Sequence, residues 1–170
     1  MPFFNPCNFC NGRCCESFVI TVDAFDVARI EKETGRKAGE FAELRRLDIL
    51  SYEEDAVVEA RNGKYTEYYL LALKSHPCCF LVDGKCKIYS SRPLACRIYP
   101  FREDRKISKR AICPIVSKTG FLFFSPSKKL IEQYENEKKE YARIVKECNE
   151  KKLEKEEAFR FIIQRAKQMI

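Results

Sequence analysis

Eight of the ten cysteines fall into two blocks far apart along the chain, and this arrangement constrains the protein more than any other feature. The first block, Cys7-x2-Cys10-x3-Cys14-Cys15, packs four thiols into a short polar stretch with Asn8, Asn11 and Gly12, which reads as a loop. The second, Cys79-x6-Cys86-x9-Cys96-x16-Cys113, spreads four more through short apolar pieces and turns. A chain of 170 residues buries roughly 70% of the surface it would expose unfolded, so it needs neither metal nor disulfides merely to be compact. The thiols therefore call for a chemical explanation.

A C-x2-C spacing lets two thiolates reach one ion from a tight turn, with backbone amides free to donate to the sulfurs. The adjacent pair Cys14-Cys15 is awkward for one tetrahedral ion, because neighbouring side chains diverge; it suits two ions or a multinuclear cluster. His76 is the only imidazole, which argues against a mixed Cys/His finger. Soft, all-thiolate ligation selects iron–sulfur clusters, zinc or copper(I). Buried free thiols acting as small hydrophobes have no reason to cluster in this way. Structural disulfides remain an alternative, because the bias toward Glu and Lys (19 and 18 residues) resembles hyperthermophile usage, where intracellular disulfides occur. Cys78 and Cys148 lie outside the eight-residue pattern and read as core packing or spare thiols.

Charge follows the second block. Between Lys85 and Lys118, ten Lys or Arg stand against Glu103 and Asp104, whereas the whole chain carries +7. Cations such as Lys87, Arg92 and Arg97 are placed to offset clustered thiolates; the competing reading is a basic surface for an acidic partner. Nothing from Met1 to Cys7 resembles an export signal, and apolar runs such as Phe121-Leu122-Phe123-Phe124 are too short to span a bilayer. A cytoplasmic protein without membrane association is expected.

Local signals predict a small α+β domain with a β-hairpin, cysteine-rich metal-bound loops and a C-terminal helical pair. Thr21 or Asp23 is placed to cap a helix running to Gly35. Phe41, Leu44 and Leu47, spaced three apart, predict a second helix over Gly39 to Leu47. Asn62-Gly63 predicts a hairpin between 56–61 and 64–73, Asp83-Gly84 another turn, and Gly120 to Phe124 a last strand. From Ser127 on, Lys, Glu and Arg dominate without Gly or Pro. Two apolar stripes there (Leu130, Tyr134, Tyr141, Val145 and Cys148; then Phe159, Ile162, Ile163 and Ala166) predict two helices breaking near 148–152. The expected division is 1–125 as a cysteine-cluster metal-binding domain, with 126–170 as a charged helical extension packed on it.

The segment Cys7-Asn8-Phe9-Cys10-Asn11-Gly12-Arg13-Cys14-Cys15 resembles the signature of the CxxCxxCC family of zinc- or iron-chelating domains. The run from Cys79-Phe80-Leu81 through Cys86-Lys87-Ile88-Tyr89 and Arg92-Pro93 to Cys96-Arg97-Ile98-Tyr99-Pro100-Phe101 matches it more closely, and Cys113 fits its final cysteine. One departure is visible: three residues, not two, separate Cys10 from the double cysteine. The resemblance implies eight ligands, Cys7, Cys10, Cys14, Cys15, Cys79, Cys86, Cys96 and Cys113, and a cofactor that is an iron–sulfur cluster or zinc. Some members are described as iron–sulfur oxidoreductases, and a flagellin lysine methylase carries a similar cysteine domain.

Neither activity is supported by catalytic residues here. There is no glycine-rich nucleotide loop and no Ser/His/Asp set, and Ser17 stands where a radical C-x3-C-x2-C triplet would need its third cysteine. Three functional expectations result: an iron–sulfur protein in redox or electron-transfer chemistry, a structural zinc module presenting a basic surface, or a component of a protein lysine methylation system. The partner is an unidentified protein or redox partner, with nucleic acid less favoured.

Overall fold

Strand Tyr65–Leu73 (β3) is the centre of the molecule, and its last five residues, Tyr69 to Leu73, are all buried. A computed structural model describes residues 11–47, 54–109, 111–113 and 125–170. Together with Val58–Asn62 (β2) and Ala42–Arg46 (β1), β3 forms a three-stranded antiparallel sheet in the order β1-β3-β2. The architecture is α+β, as expected. Asn62 pairs with Tyr65, so the two-residue connection is Gly63-Lys64, one position later than the Asn-Gly dipeptide suggests. Gly63 takes the first central position with φ 63°, as a primed hairpin turn demands.

β2 reaches only as far along β3 as Tyr69. Beyond that point its place on the same edge is taken by residues 20–22: Val22 N–H donates to Leu71 O at 3.0 Å, and Leu73 N–H donates to Ile20 O at 2.9 Å. Thr21 and Ala72 form an antiparallel bridge. The segment leaving the first cysteine block and the strand entering the second are thereby held side by side.

Helix Ala24–Thr34 (α2) follows directly. Asp23 caps it, accepting from Asp26 N–H at 2.7 Å, and Gly35 ends it in the left-handed conformation with φ 70°. The expected helix over Gly39 to Leu47 is a correction: only Ala38–Phe41 (α3) is helical, and the chain then extends as β1. Ala42 and Leu44 are buried while Glu43 and Arg46 are not, so the period of two prevails over the i, i+3 spacing of Phe41, Leu44 and Leu47. β3 offers an open ladder on that side, and β1 fills it.

The C-terminal helices break where expected, as Lys128–Glu150 (α5) and Lys155–Lys167 (α6). Ser127 caps the first, and Glu154 with Glu157 forms a capping box on the second. Tyr141, Ile144, Val145 and Cys148 of α5 share one core with Ile162, Ile163 and Ala166 of α6, with α2, and with the sheet. Asn149 reaches the outer edge of β2, accepting from Glu59 N–H and donating to Val57 O, both at 2.9 Å. It occupies backbone groups that an edge strand otherwise leaves unpaired. The strand expected over 120–124 lies outside the described residues. Among the described residues no helix is long and apolar enough to cross a membrane.

Asn149→Ala removes both of those hydrogen bonds. It is expected to lower the unfolding free energy by about 1–2 kcal/mol, read as a lower urea midpoint at unchanged slope. An unchanged midpoint would show that water replaces the side chain without cost.

Candidate metal centre

Cys14 and Cys15 lie in a single-turn helix, Arg13–Ser17 (α1), where the sequence suggested a loop. Gly12, with φ 71°, turns the chain into it. Neighbouring helical residues project about 100° apart, yet the two sulfurs lie 4.0 Å from each other. Six residues before Thr21 stands Cys15, and six after Ala72 stands Cys78. Beyond the pairing of residues 20–22 with 71–73, Cys78 N–H donates to Cys15 O at 2.9 Å.

The rest of the second block wraps around this junction. Cys79 directs its thiol toward Phe41 O at 3.8 Å. Leu81–Val82 (β4) and Lys85–Cys86 (β5) form a small ribbon that places Cys86 opposite Leu81. Its turn is the predicted Asp83-Gly84, with φ of 50° and 68°, the pairing that a two-residue type I′ connection requires. Pro93 caps the short helix Leu94–Ile98 (α4), which carries Cys96. Farther on, Ile112 N–H donates to the Tyr99 hydroxyl at 2.7 Å, so Tyr99 lies near both Cys113 and Cys14.

The two blocks also touch through backbone. A Cβ on Gly12 would lie 2.4 Å from a methyl carbon of Leu81, and one on Gly84 would lie 3.4 Å from Asn11 Cα. Glycine is needed at 12 both for its positive φ and for this close approach.

The sulfurs of Cys14, Cys15, Cys78 and Cys79 adjoin one another in a row, with Cys14 and Cys15 4.0 Å apart. Along it the acidities alternate. Cys14 is lowered to about 7 by the Cys15 thiol, and Cys78 to about 3 by Cys15 and then Cys79. Cys15 and Cys79 are raised, first by the neighbours to which they are bonded. Burial pushes up Cys86 and, much further, Cys96. Arg92, stacked 3.9 Å from the Tyr89 ring centroid, acts on Cys14, Cys86 and Cys96 in favour of the thiolate. Arg36, which lies over the Phe80 ring, does the same for Cys79. Arg92 belongs to the basic stretch singled out in the sequence, whereas Arg36 lies far outside it.

Of the eight cysteines expected to ligate, Cys14, Cys15, Cys79, Cys86 and Cys96 are gathered here, Cys113 is linked through Tyr99, and Cys7 and Cys10 lie outside the described residues. Cys148 is elsewhere: fully buried between α5 and α6, it directs its thiol toward Ala158 O, in keeping with core packing. Cys78, passed over in the sequence, stands inside the row. Its signal was its adjacency to Cys79.

The donor set suits a soft metal. The sulfurs form a row with flanks rather than one closed tetrahedron. Among the described residues, the ligand-type side chains whose donor atoms all lie within 4.8 Å of one another are Asp23, Asp26 and Glu137. Those acids have another partner. Arg29 donates to Glu137 at 2.6 Å and to Asp26, while Asp26 also accepts from Leu94 N–H at 2.9 Å. The network ties α2 and α5 to the first residue of α4, and so fixes the helix that holds Cys96.

The family model of the CxxCxxCC domain, described as "Putative zinc- or iron-chelating domain", matches residues 6–114. The chain belongs to this family. Both cysteine blocks fall within the match, whereas α5 and α6 fall outside it. Its cofactor is accordingly zinc or iron, in agreement with the thiolate-rich donor set. No curated protein and no solved structure matches the chain.

Gly12→Ala is expected to destabilise the CxxCxxCC domain by about 1–3 kcal/mol, from left-handed strain and the clash with Leu81. In a double-mutant cycle read by chemical denaturation, Gly12→Ala with Leu81→Ala should cost less than the sum of the single changes. Strict additivity would mean that the two side chains do not meet.

Proposed function

We propose that the eight cysteines Cys7, Cys10, Cys14, Cys15, Cys79, Cys86, Cys96 and Cys113 hold an iron–sulfur centre that serves redox or electron-transfer chemistry. The observation that carries this reading is the junction of the two blocks: the Cys15–Cys78 backbone bond brings thiols of both blocks into one neighbourhood. The sulfurs of the adjacent thiols at 14–15 lie 4.0 Å apart, a separation that two ligands of one four-sulfur ion or of a multinuclear centre would both show. Cys14, Cys15, Cys79, Cys86 and Cys96 are half-buried, which suits a centre that exchanges electrons with a partner at the surface. When bound, such a centre supplies a reversible one-electron couple whose potential depends on burial and on hydrogen bonds to the sulfurs. What this chain contributes is the thiolate set, the guanidinium groups of Arg92 and Arg36 that offset its charge, and the Asp26 anchor beneath Cys96.

A second reading, a structural zinc module presenting a basic surface to a protein or nucleic acid, has one observation in its favour. Arg13, Lys85 and Lys87 flank Cys14 and Cys86 and are exposed, giving the centre a positive rim. Under that reading affinity for a nucleic acid falls steeply with salt.

Protein purified without oxygen is expected to be brown, to absorb near ~400 nm and to contain iron with acid-labile sulfide. Cys86→Ser and Cys96→Ser should each lose most of the colour. A colourless protein with stoichiometric zinc would replace the first reading by the second, and protein without metal would end both.

A further inference from the structure

We propose that Cys78 is a ninth thiolate ligand of the metal centre, facing Cys15 across the junction between the two cysteine blocks. The proposal rests on the metal-centre reading above and adds to it a residue outside the eight-cysteine pattern.

Backbone register is the first argument. Residues 20–22 and 71–73 are paired, and a separate backbone bond from Cys78 N–H to Cys15 O brings the doublets Cys14-Cys15 and Cys78-Cys79 together. Cys78 lies in the turn that follows β3, and its backbone bond to Cys15 in α1 holds it against the first block. Its thiol neighbours are the second argument: its sulfur lies beside the thiols of both Cys15 and Cys79, the one on the opposite doublet and the other on its own. A ligand shell that takes those two sulfurs and excludes the one between them has to push it aside.

A core-packing role makes a different environment. Cys148, with 0% of its surface exposed, has a carbonyl oxygen 4.0 Å from its sulfur as its recorded polar neighbour and burial as the first cause of its raised acidity constant. Cys78, at 8% exposure, touches the hydrophobic core on one side and two thiols on the other. A middle position between two sulfurs also suits a thiolate shared by two ions, which matters because nine thiolates cannot be divided evenly between two four-sulfur sites.

Cobalt(II) and cadmium are the probes. Full-length wild type, Cys78→Ser, Cys79→Ser and Cys148→Ser are stripped of metal and titrated with cobalt(II) under oxygen-free conditions. Cys78→Ser is expected to weaken binding about tenfold or more, a loss of the size that perturbing a metal site brings. It should also lower the thiolate-to-cobalt charge-transfer intensity as much as Cys79→Ser does, while Cys148→Ser matches wild type. Cys78→Ser behaving as Cys148→Ser does would overturn the proposal. Should Cys78→Ser not fold, cadmium-113-loaded wild type decides: a cadmium coupling to the Cys78 β protons supports ligation. Couplings to Cys15 and Cys79 without one to Cys78 overturn it. Wild type that binds neither metal would remove the metal centre itself, an outcome distinct from a centre that ignores Cys78.

Discussion

The pairing of residues 20–22 with Leu71 to Leu73 is the contact on which the cysteine assembly depends. β3 carries β1 on one edge for its whole buried length, but β2 covers the other edge only as far as Tyr69. The unfilled ladder beyond that point needs a partner, because buried backbone donors and acceptors left unpaired are costly. Ile20 to Val22 supplies it. The two chain segments that diverge from this ladder lead straight into the two cysteine blocks, so the sheet converts a long sequence separation into a short spatial one. No cysteine takes part in the ladder itself.

A second layer of constraint comes from the C-terminal helices, although they lie outside the family match. Glu137 on α5 shares Arg29 with Asp26 on α2, and Asp26 receives the Leu94 amide at the start of α4. Asp26 is 2% exposed, and burial alone would favour its neutral form; Arg29 and the amide act in the opposite direction. The link therefore runs from α5 through a guanidinium and a carboxylate to the backbone of the helix that carries Cys96. Asn149 works at the opposite side of the sheet by closing the outer edge of β2. The highly charged helices are thus joined to the rest of the molecule by specific polar groups as well as by their apolar stripes.

Local signals in the sequence were legible because their physics is local. Asp23 and Gly35 bracket α2 and Asp83-Gly84 turns the small ribbon, each through a dihedral or capping preference that needs no distant partner. Ala42 to Arg46 misled because three-residue spacing and alternation coincide over so short a stretch, and only the open edge of β3 decides between them. The turn at Gly63-Lys64 is displaced by one residue for a similar reason: Asn62 is drawn into the ladder by Tyr65. At the centre, composition identified the basic stretch that contains Arg92, but Arg36 enters from the end of α2, and no pattern along the chain announces that approach. Cys78 was hidden by its neighbour. Spacing rules choose one residue from a doublet, whereas the backbone register brings both to the junction.

Electrostatics explains why such an assembly calls for a cation. A lone buried thiol is pushed toward its neutral form, as burial does to Cys148. Placing several thiols together lets one sulfur ionise while its neighbours keep their protons and donate toward it, which is why Cys14 and Cys78 are lowered while Cys15 and Cys79 are raised. That alternation reaches its limit quickly, since each thiolate makes the next harder to form. Arg92 and Arg36 relieve part of the repulsion, but each contributes a single charge, and Arg92 already acts on three thiols. A divalent or multinuclear metal changes the balance because it replaces the protons altogether, and binding then releases them to solvent. Under the proposed metal-centre reading, the row of sulfurs exchanges its thiol protons for metal.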